Sequence, residues 1–244
     1  MTAFLTYEEI MLKCEEINKK YEIKQERFDE VIDCILDEEE MSADDKIAKA
    51  FVQLLQAVSE EINDMESTAN LTPTCQMGCA FCCYFPIVIN KMEAKLIKDA
   101  ISKMPGDRKH FIEDHLIQYN EMYSEKIERL GNMDLASDSD AKYKYKKEHL
   151  PCPFLNLETS ACMIYEVRPI PCRTYVNYTN PAVCSDNVMP KETISYEFLY
   201  QEYMSAINEL LQYLFENGKI EKIDYPGDLY QDDLLINWVK EAVQ

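Results

Sequence analysis

Eight of the chain's ten cysteines fall in two stretches. TPTCQMGCAFCCYFP, residues 72–86, holds Cys75, Cys79, Cys82 and Cys83 in a C-x3-C-x2-C-C spacing. PCPFLNLETSACMIYEVRPIPCRTYVNYTNPAVC, residues 151–184, adds Cys152, Cys162, Cys172 and Cys184. Thiolates are soft donors suited to zinc, copper(I) or iron–sulfur clusters. A tetrahedral zinc ion needs four ligands, and so does a cubane cluster. Eight thiols therefore suffice for two sites, or for one site with spares, and spacing alone leaves both open.

Two of the five arginines, Arg168 and Arg173, flank Cys172. A centre of four thiolates around zinc is net negative, and guanidinium groups nearby would offset that charge and donate hydrogen bonds to sulfur. The plainer alternative is a surface ion pair with Glu166 or another carboxylate. The histidines add little: His110 and His115 are five apart and do not share a helix face as i, i+4 ligands would. His149, three residues before Cys152, reads as a surface histidine, with a ligand or proton-carrying role as the alternative.

The elements that must position these thiols are mostly helical. Thr6 and Glu9 fit a capping box ahead of Ile10, Cys14, Ile17 and Tyr21. A second helix carries Phe28, Val31, Ile32 and Ile35. Ser42 caps a third, whose stripe is Ile47, Phe51, Leu54, Leu55, Val58, Ile62 and Met65. Cys14 and Cys34 lie on or beside these apolar faces and read as small core residues. After the first cysteine stretch, FPIVIN reads as a short strand, and Asn90 with Glu93 caps a helix burying Met92, Leu96, Ile97 and Ile101. Pro105-Gly106 separates it from a helix over about 107–130. The polar segment 131–149, KYKYKK included, lacks periodicity and reads as a solvated, mobile loop. Five prolines in the second cysteine stretch argue for turns there. Tyr196, Leu199, Tyr203, Ile207, Leu210, Leu211 and Leu214 share a face of a late helix, and a last amphipathic helix follows Pro226-Gly227. The cysteine stretches thus occupy the places where the helical pattern stops, where turns can bring several thiolates to one point.

The balance of 45 acidic against 25 basic residues gives a net charge of −20, which repels phosphate and argues against nucleic acid or an anionic membrane as partner. The start MTAFLTYEEI has no signal-peptide character, and no apolar run approaches the length of a bilayer span. A cytoplasmic, reduced location is expected, in which clustered cysteines mean metal or catalysis rather than disulfides. The spacing of the first three cysteines also occurs in radical S-adenosylmethionine enzymes, but neither the parallel-strand repeats of their barrel nor a glycine-rich segment follows. With five glycines in all, there is no GxGxxG or P-loop.

CQMGCAFCC, then PCPFL, then CMIYEVRPIPCR resemble the signature of the YkgJ-type cysteine-cluster family, zinc- or iron-chelating domains related to the cluster of flagellin lysine-N-methylases. The motifs cover roughly residues 72–175. The resemblance implies Cys75, Cys79, Cys82, Cys83, Cys152, Cys162 and Cys172 as metal ligands and places Arg168 and Arg173 beside the cofactor, with Cys184 outside the tight part of the signature. The expected fold is mainly α: a helical bundle enclosing an irregular, proline- and cysteine-rich metal-binding centre. Residues 1–70 form an N-terminal helical segment, 71–190 the cysteine-cluster domain and 191–244 the C-terminal helices. The expected cofactor is a [4Fe-4S] cluster, favoured by the surplus of thiols, or zinc. Three functions follow: a metal-binding module, an iron–sulfur protein lysine N-methyltransferase using S-adenosylmethionine on a protein substrate, or metal storage and delivery.

Overall fold

The structure is a computed structural model and describes residues 4–243. In chain order it contains α1 (Tyr7–Lys20), α2 (Gln25–Leu36), α3 (Ala43–Ala69), β1 (Val88–Asn90), α4 (Lys91–Ser102), α5 (Gly106–Gly131), α6 (Ala141–Lys147), β2 (Leu155–Asn156), β3 (Ala161–Cys162), α7 (Ile170–Arg173), β4 (Tyr175–Asn177), α8 (Ala182–Asp186), β5 (Thr193–Ser195), α9 (Leu199–Glu216), β6 (Asp232–Leu234) and α10 (Leu235–Val243). The fold is mainly α, and the strands form only antiparallel pairs. Among the described residues no helix is long and apolar enough to cross a membrane. The chain divides into two compact units. The first comprises Met1–Cys75, Pro169–Val183 and Lys191–Gly227; the second comprises Gln76–Arg168, Cys184–Pro190 and Asp228–Gln244.

The first unit is built on α2, α3 and α9, which pack on one another, with α1 against α3. The capping box at the start of α1 forms as its residues dictate: Thr6 Oγ1 accepts from the Glu9 amide and Glu9 from the Thr6 amide. Ser42 caps α3, and the whole stripe from Ile47 to Met65 is buried against Phe28, Ile32 and Ile35 of α2 and the leucines of α9. Asn70 ends α3 in the left-handed region, φ 54, which asparagine tolerates better than most side chains. Cys14 is half-buried, but Cys34 is exposed, which corrects the expectation of a core role. It sits two residues, about 200° around the helix, from buried Ile32 and therefore faces away from that side.

The second unit packs α10 against α4 and α5. FPIVIN does form a strand: β1 pairs with β6 in the register Val88↔Leu234, Ile89↔Asp233 and Asn90↔Asp232. Asn90 and Glu93 close a second capping box, now buried. Within the polar 131–149 segment, residues 141–147 are helical, not loop. Ala141 and Tyr145, one turn apart on α6, are buried, and Tyr145 joins Tyr119, Ile127, Leu130, Leu150, Leu234 and Ile236 in one apolar cluster. Tertiary burial of that face outweighs the lysine-rich, unpatterned local sequence.

Candidate metal centre

Six of the eight clustered cysteines belong to the second unit: Cys79, Cys82, Cys83, Cys152, Cys162 and Cys184. All six are half-buried, and no two of the chain's ten cysteines are joined by a disulfide. Gly78, at φ 91, turns the backbone just before Cys79 in a conformation that a side chain would strain. A one-turn 3-10 helix, Phe81–Tyr84, then presents Cys82 and Cys83 side by side. The amide of Cys152 donates to the carbonyl of Cys83 at 2.7 Å. The two sequence blocks, some seventy residues apart, are thereby tied backbone to backbone. The β2–β3 pair sets Cys162 opposite Leu155, and the Leu155 amide bonds the Cys152 carbonyl at 3.0 Å.

Helix α5 holds Cys152 from both sides. Tyr119 Oη donates to the carbonyl of Pro151 at 2.7 Å, and His115, one turn earlier, hydrogen-bonds the backbone of Pro153. Burial disfavours ionisation of His115, so the ring acts as a neutral clamp. Arg108, near the start of α5, grips Glu166 through two bonds of 3.1 and 2.7 Å and the carbonyl of Met163 at 2.7 Å. That braces the turn after Cys162, and the Cys162 thiol lies within the field of the same guanidinium.

The thiols sense one another. The Cys82 thiol is drawn down to about 7, chiefly by a hydrogen bond from Cys83, with Arg168 and Lys146 contributing positive charge against the opposing effect of burial. Cys152 is pushed the other way, to about 12, because its sulfur is desolvated and lies in the field of Cys162 and Cys82. Lys146 is itself buried. Its ammonium stands 4.0 Å from the centroid of Phe85 and feels both Cys82 and Cys184. Arg168 stacks over Tyr165 at 4.5 Å, and its Nε is buried with no hydrogen-bond partner among the described residues. Glu166 is therefore the partner of Arg108, not of Arg168. The positive charge around these thiols comes from Arg168, Arg108 and Lys146; the last two were not visible as site residues in the sequence.

Three of the other predicted residues, Cys75, Cys172 and Arg173, lie in the first unit. Cys75 is exposed, and its sulfur accepts from the Asn177 amide at 3.3 Å. Cys172 is half-buried on α7. Arg173 donates to Ser59 Oγ at 2.7 Å. His149 belongs to the second unit; at φ 49 it meets Tyr84 edge to face with centroids 6.1 Å apart.

Comparison with protein families places residues 74–189 on the model named CxxCxxCC, described as "Putative zinc- or iron-chelating domain". This segment is similar to the CxxCxxCC family. Both cysteine blocks fall inside the matched CxxCxxCC span, whereas α1, α2, α9 and α10 lie outside it. Comparison with curated proteins and with solved structures gave no match. The donor set suits a metal of the kind the CxxCxxCC description names. It is thiol-rich, one thiol is poised to ionise near neutral pH, and a buried guanidinium N–H stands without a protein acceptor. Among the described residues, no three His, Cys, Asp or Glu side chains stand together as a ready metal-holding group.

Proposed function

We propose that the protein is a thiolate metal centre that holds an iron–sulfur cluster through ligands drawn from Cys79, Cys82, Cys83, Cys152 and Cys162, with zinc as the alternative the same donors accept. The observation that carries this reading is the Cys83–Cys152 backbone bond, which brings cysteines of both sequence blocks into one place. Five thiols exceed the four that either a zinc site or a cubane cluster takes, enough for one centre with one to spare. Arg168 supplies an N–H donor toward sulfur, and Lys146 supplies compensating charge, the roles that outer residues play around thiolate centres. A bound metal would supply the positive charge that lets desolvated thiols such as Cys152 stay deprotonated.

Alkylation mapping tests the ligand set. The chain, purified under argon, is treated with iodoacetamide before and after chelation, and each cysteine is read by mass spectrometry. Cys79, Cys82, Cys83, Cys152 and Cys162 are expected to be protected before chelation and labelled after it. Cys34, exposed on α2, should label in both states, and Cys75, Cys172 and Cys184 are judged by the same comparison. Equal labelling of the five residues with and without chelation would overturn the assignment.

A further inference from the structure

We propose that the cleft between α4, α5 and α10 binds a free acyl carboxylate, an apolar chain with a single anionic head. The cleft has a volume of about 780 Å³, within the range of small-molecule sites. Its floor is apolar, formed by Ile97 and Ile101 of α4, Leu116 of α5, and Leu235, Trp238 and Val239 of α10. Five of these, Ile97, Ile101, Leu116, Leu235 and Val239, are buried, and the indole of Trp238 is fixed by its Nε1 bond to the Ile89 carbonyl at 3.1 Å.

The rim selects the head group. Lys91, Lys95 and Lys98 repeat at i, i+4 and i+7 along α4, and Lys109 adds a fourth ammonium from α5. On a chain of net charge −20, such a concentration of cations around an apolar floor is a local reversal of sign. Three of the four have carboxylate neighbours: Lys91 and Lys95 reach Asp228 at 3.5 and 2.5 Å, and Lys109 stands 3.8 Å from Glu113. Lys98 is exposed and makes no ion pair among the described residues. Asp114, on the facing rim, repels an anion. The carboxylate therefore lies on the α4 side at Lys98, with its chain along the floor beneath the lysine stems.

Trp238 is the chain's only tryptophan, so its emission reports the cleft directly. The metal-loaded full chain is titrated with dodecanoate below its micelle concentration, and in parallel with dodecan-1-ol and dodecyltrimethylammonium. Dodecanoate is expected to shift the emission to the blue and saturate, with the alcohol and the cation at least about tenfold weaker, as loss of a charge-assisted contact implies. Lys98→Glu should weaken dodecanoate at least about tenfold with an unchanged melting curve. Ile117→Glu, at an exposed position on the α5 side, should weaken it independently. No saturable shift, equal affinity for the three probes, or dodecanoate affinity unaltered in Lys98→Glu would overturn the proposal. So would a response confined to anionic phosphatidylglycerol vesicles, which would make the ligand a lipid surface and not a free acid.

Discussion

Chelating the metal from the intact chain is expected to release the backbone amides of Cys83, Cys152 and Met163 into fast hydrogen exchange, while those in the middle of α3 and α9 stay protected. The reason lies in how little else holds the cysteine loop. From Gln76 to Ile87, ahead of β1, no residue is buried, and the one regular element among these described residues is a turn of 3-10 helix. Ordering each such residue costs about 1–2 kcal/mol of backbone entropy, and apolar burial does not offset it there. The backbone bonds are few: Cys79 to Gln76, Cys83 to Ala80 and Phe85 to Cys82 within the loop, Cys152 to Cys83 across to the second block, and Leu235 to Ile87 at the loop's end; Lys146 on Phe85 and His149 on Tyr84 add ring contacts. Metal binding to thiolate sites that are unformed without it is itself folding free energy, apparent values reaching about 10–16 kcal/mol for zinc peptides. A fraction of that suffices here: a loss of about 3 kcal/mol corresponds to roughly a hundredfold drop in protection. Helices α3 and α9, whose contact faces are buried along their whole length, have no such dependence. Identical exchange at Cys83, Cys152 and Met163 with and without metal would show that the loop is held by protein contacts alone.

Arg27→Ala is expected to destabilise the chain by about 3–5 kcal/mol, the cost of leaving a buried charge without its partner. Glu61, on α3, is fully buried. Its carboxylate accepts from Tyr21 Oη at 2.8 Å, the Lys24 amide at 2.9 Å and Arg27 Nη1 at 2.5 Å, so one acidic group gathers the α1–α2 connection onto α3. Arg27 also bonds Asp64 at 2.5 Å. Without the guanidinium, two neutral donors remain to face a desolvated anion. Urea denaturation reads the effect as a lower midpoint at constant slope. Glu60→Ala supplies the contrast: that carboxylate is half-exposed and 3.8 Å from Arg27 Nε, a surface pair worth about 1 kcal/mol or less. The double variant Arg27→Met with Glu61→Leu should recover much of the loss, since apolar replacement of a buried pair is often near neutral. Equal midpoints for Arg27→Ala and Glu60→Ala would contradict the buried-charge account.

What could be read from the sequence was what depends on neighbours along the chain. The capping boxes Thr6/Glu9 and Asn90/Glu93 need only residues three apart, and the α3 stripe repeats at helical period through its whole length, so both were legible. The short strand at FPIVIN was legible as a strand, but its partner was not: β6 lies more than 140 residues away and consists of Asp-Asp-Leu, a sequence with little strand character. Helix α6 was missed because its stability comes from burying Tyr145 beside Tyr119 and Ile236, contacts that no local pattern encodes. The cysteine motifs pointed to the family model that matches residues 74–189, since C-x3-C-x2-C-C is contiguous. The residues that hold Cys152 in place, Tyr119 and His115, come from a helix more than thirty positions earlier. Arg108 reaches Glu166 across 58 positions. Such pairings follow from the tertiary fold and leave no signal at fixed spacing. The buried charge of Glu61 was equally silent, one glutamate among many on an acidic chain.

A thiolate centre that carries iron is tested most directly by purifying the chain under argon and measuring metal, acid-labile sulfide and the absorption spectrum on one sample. The expected result is a brown protein absorbing near about 400 nm, with about four iron and four sulfide per chain. A colourless chain carrying about one zinc ion would contradict the cluster while leaving the thiolate centre in place. A chain that holds neither metal, and takes up neither when offered under reducing conditions, would contradict the centre itself.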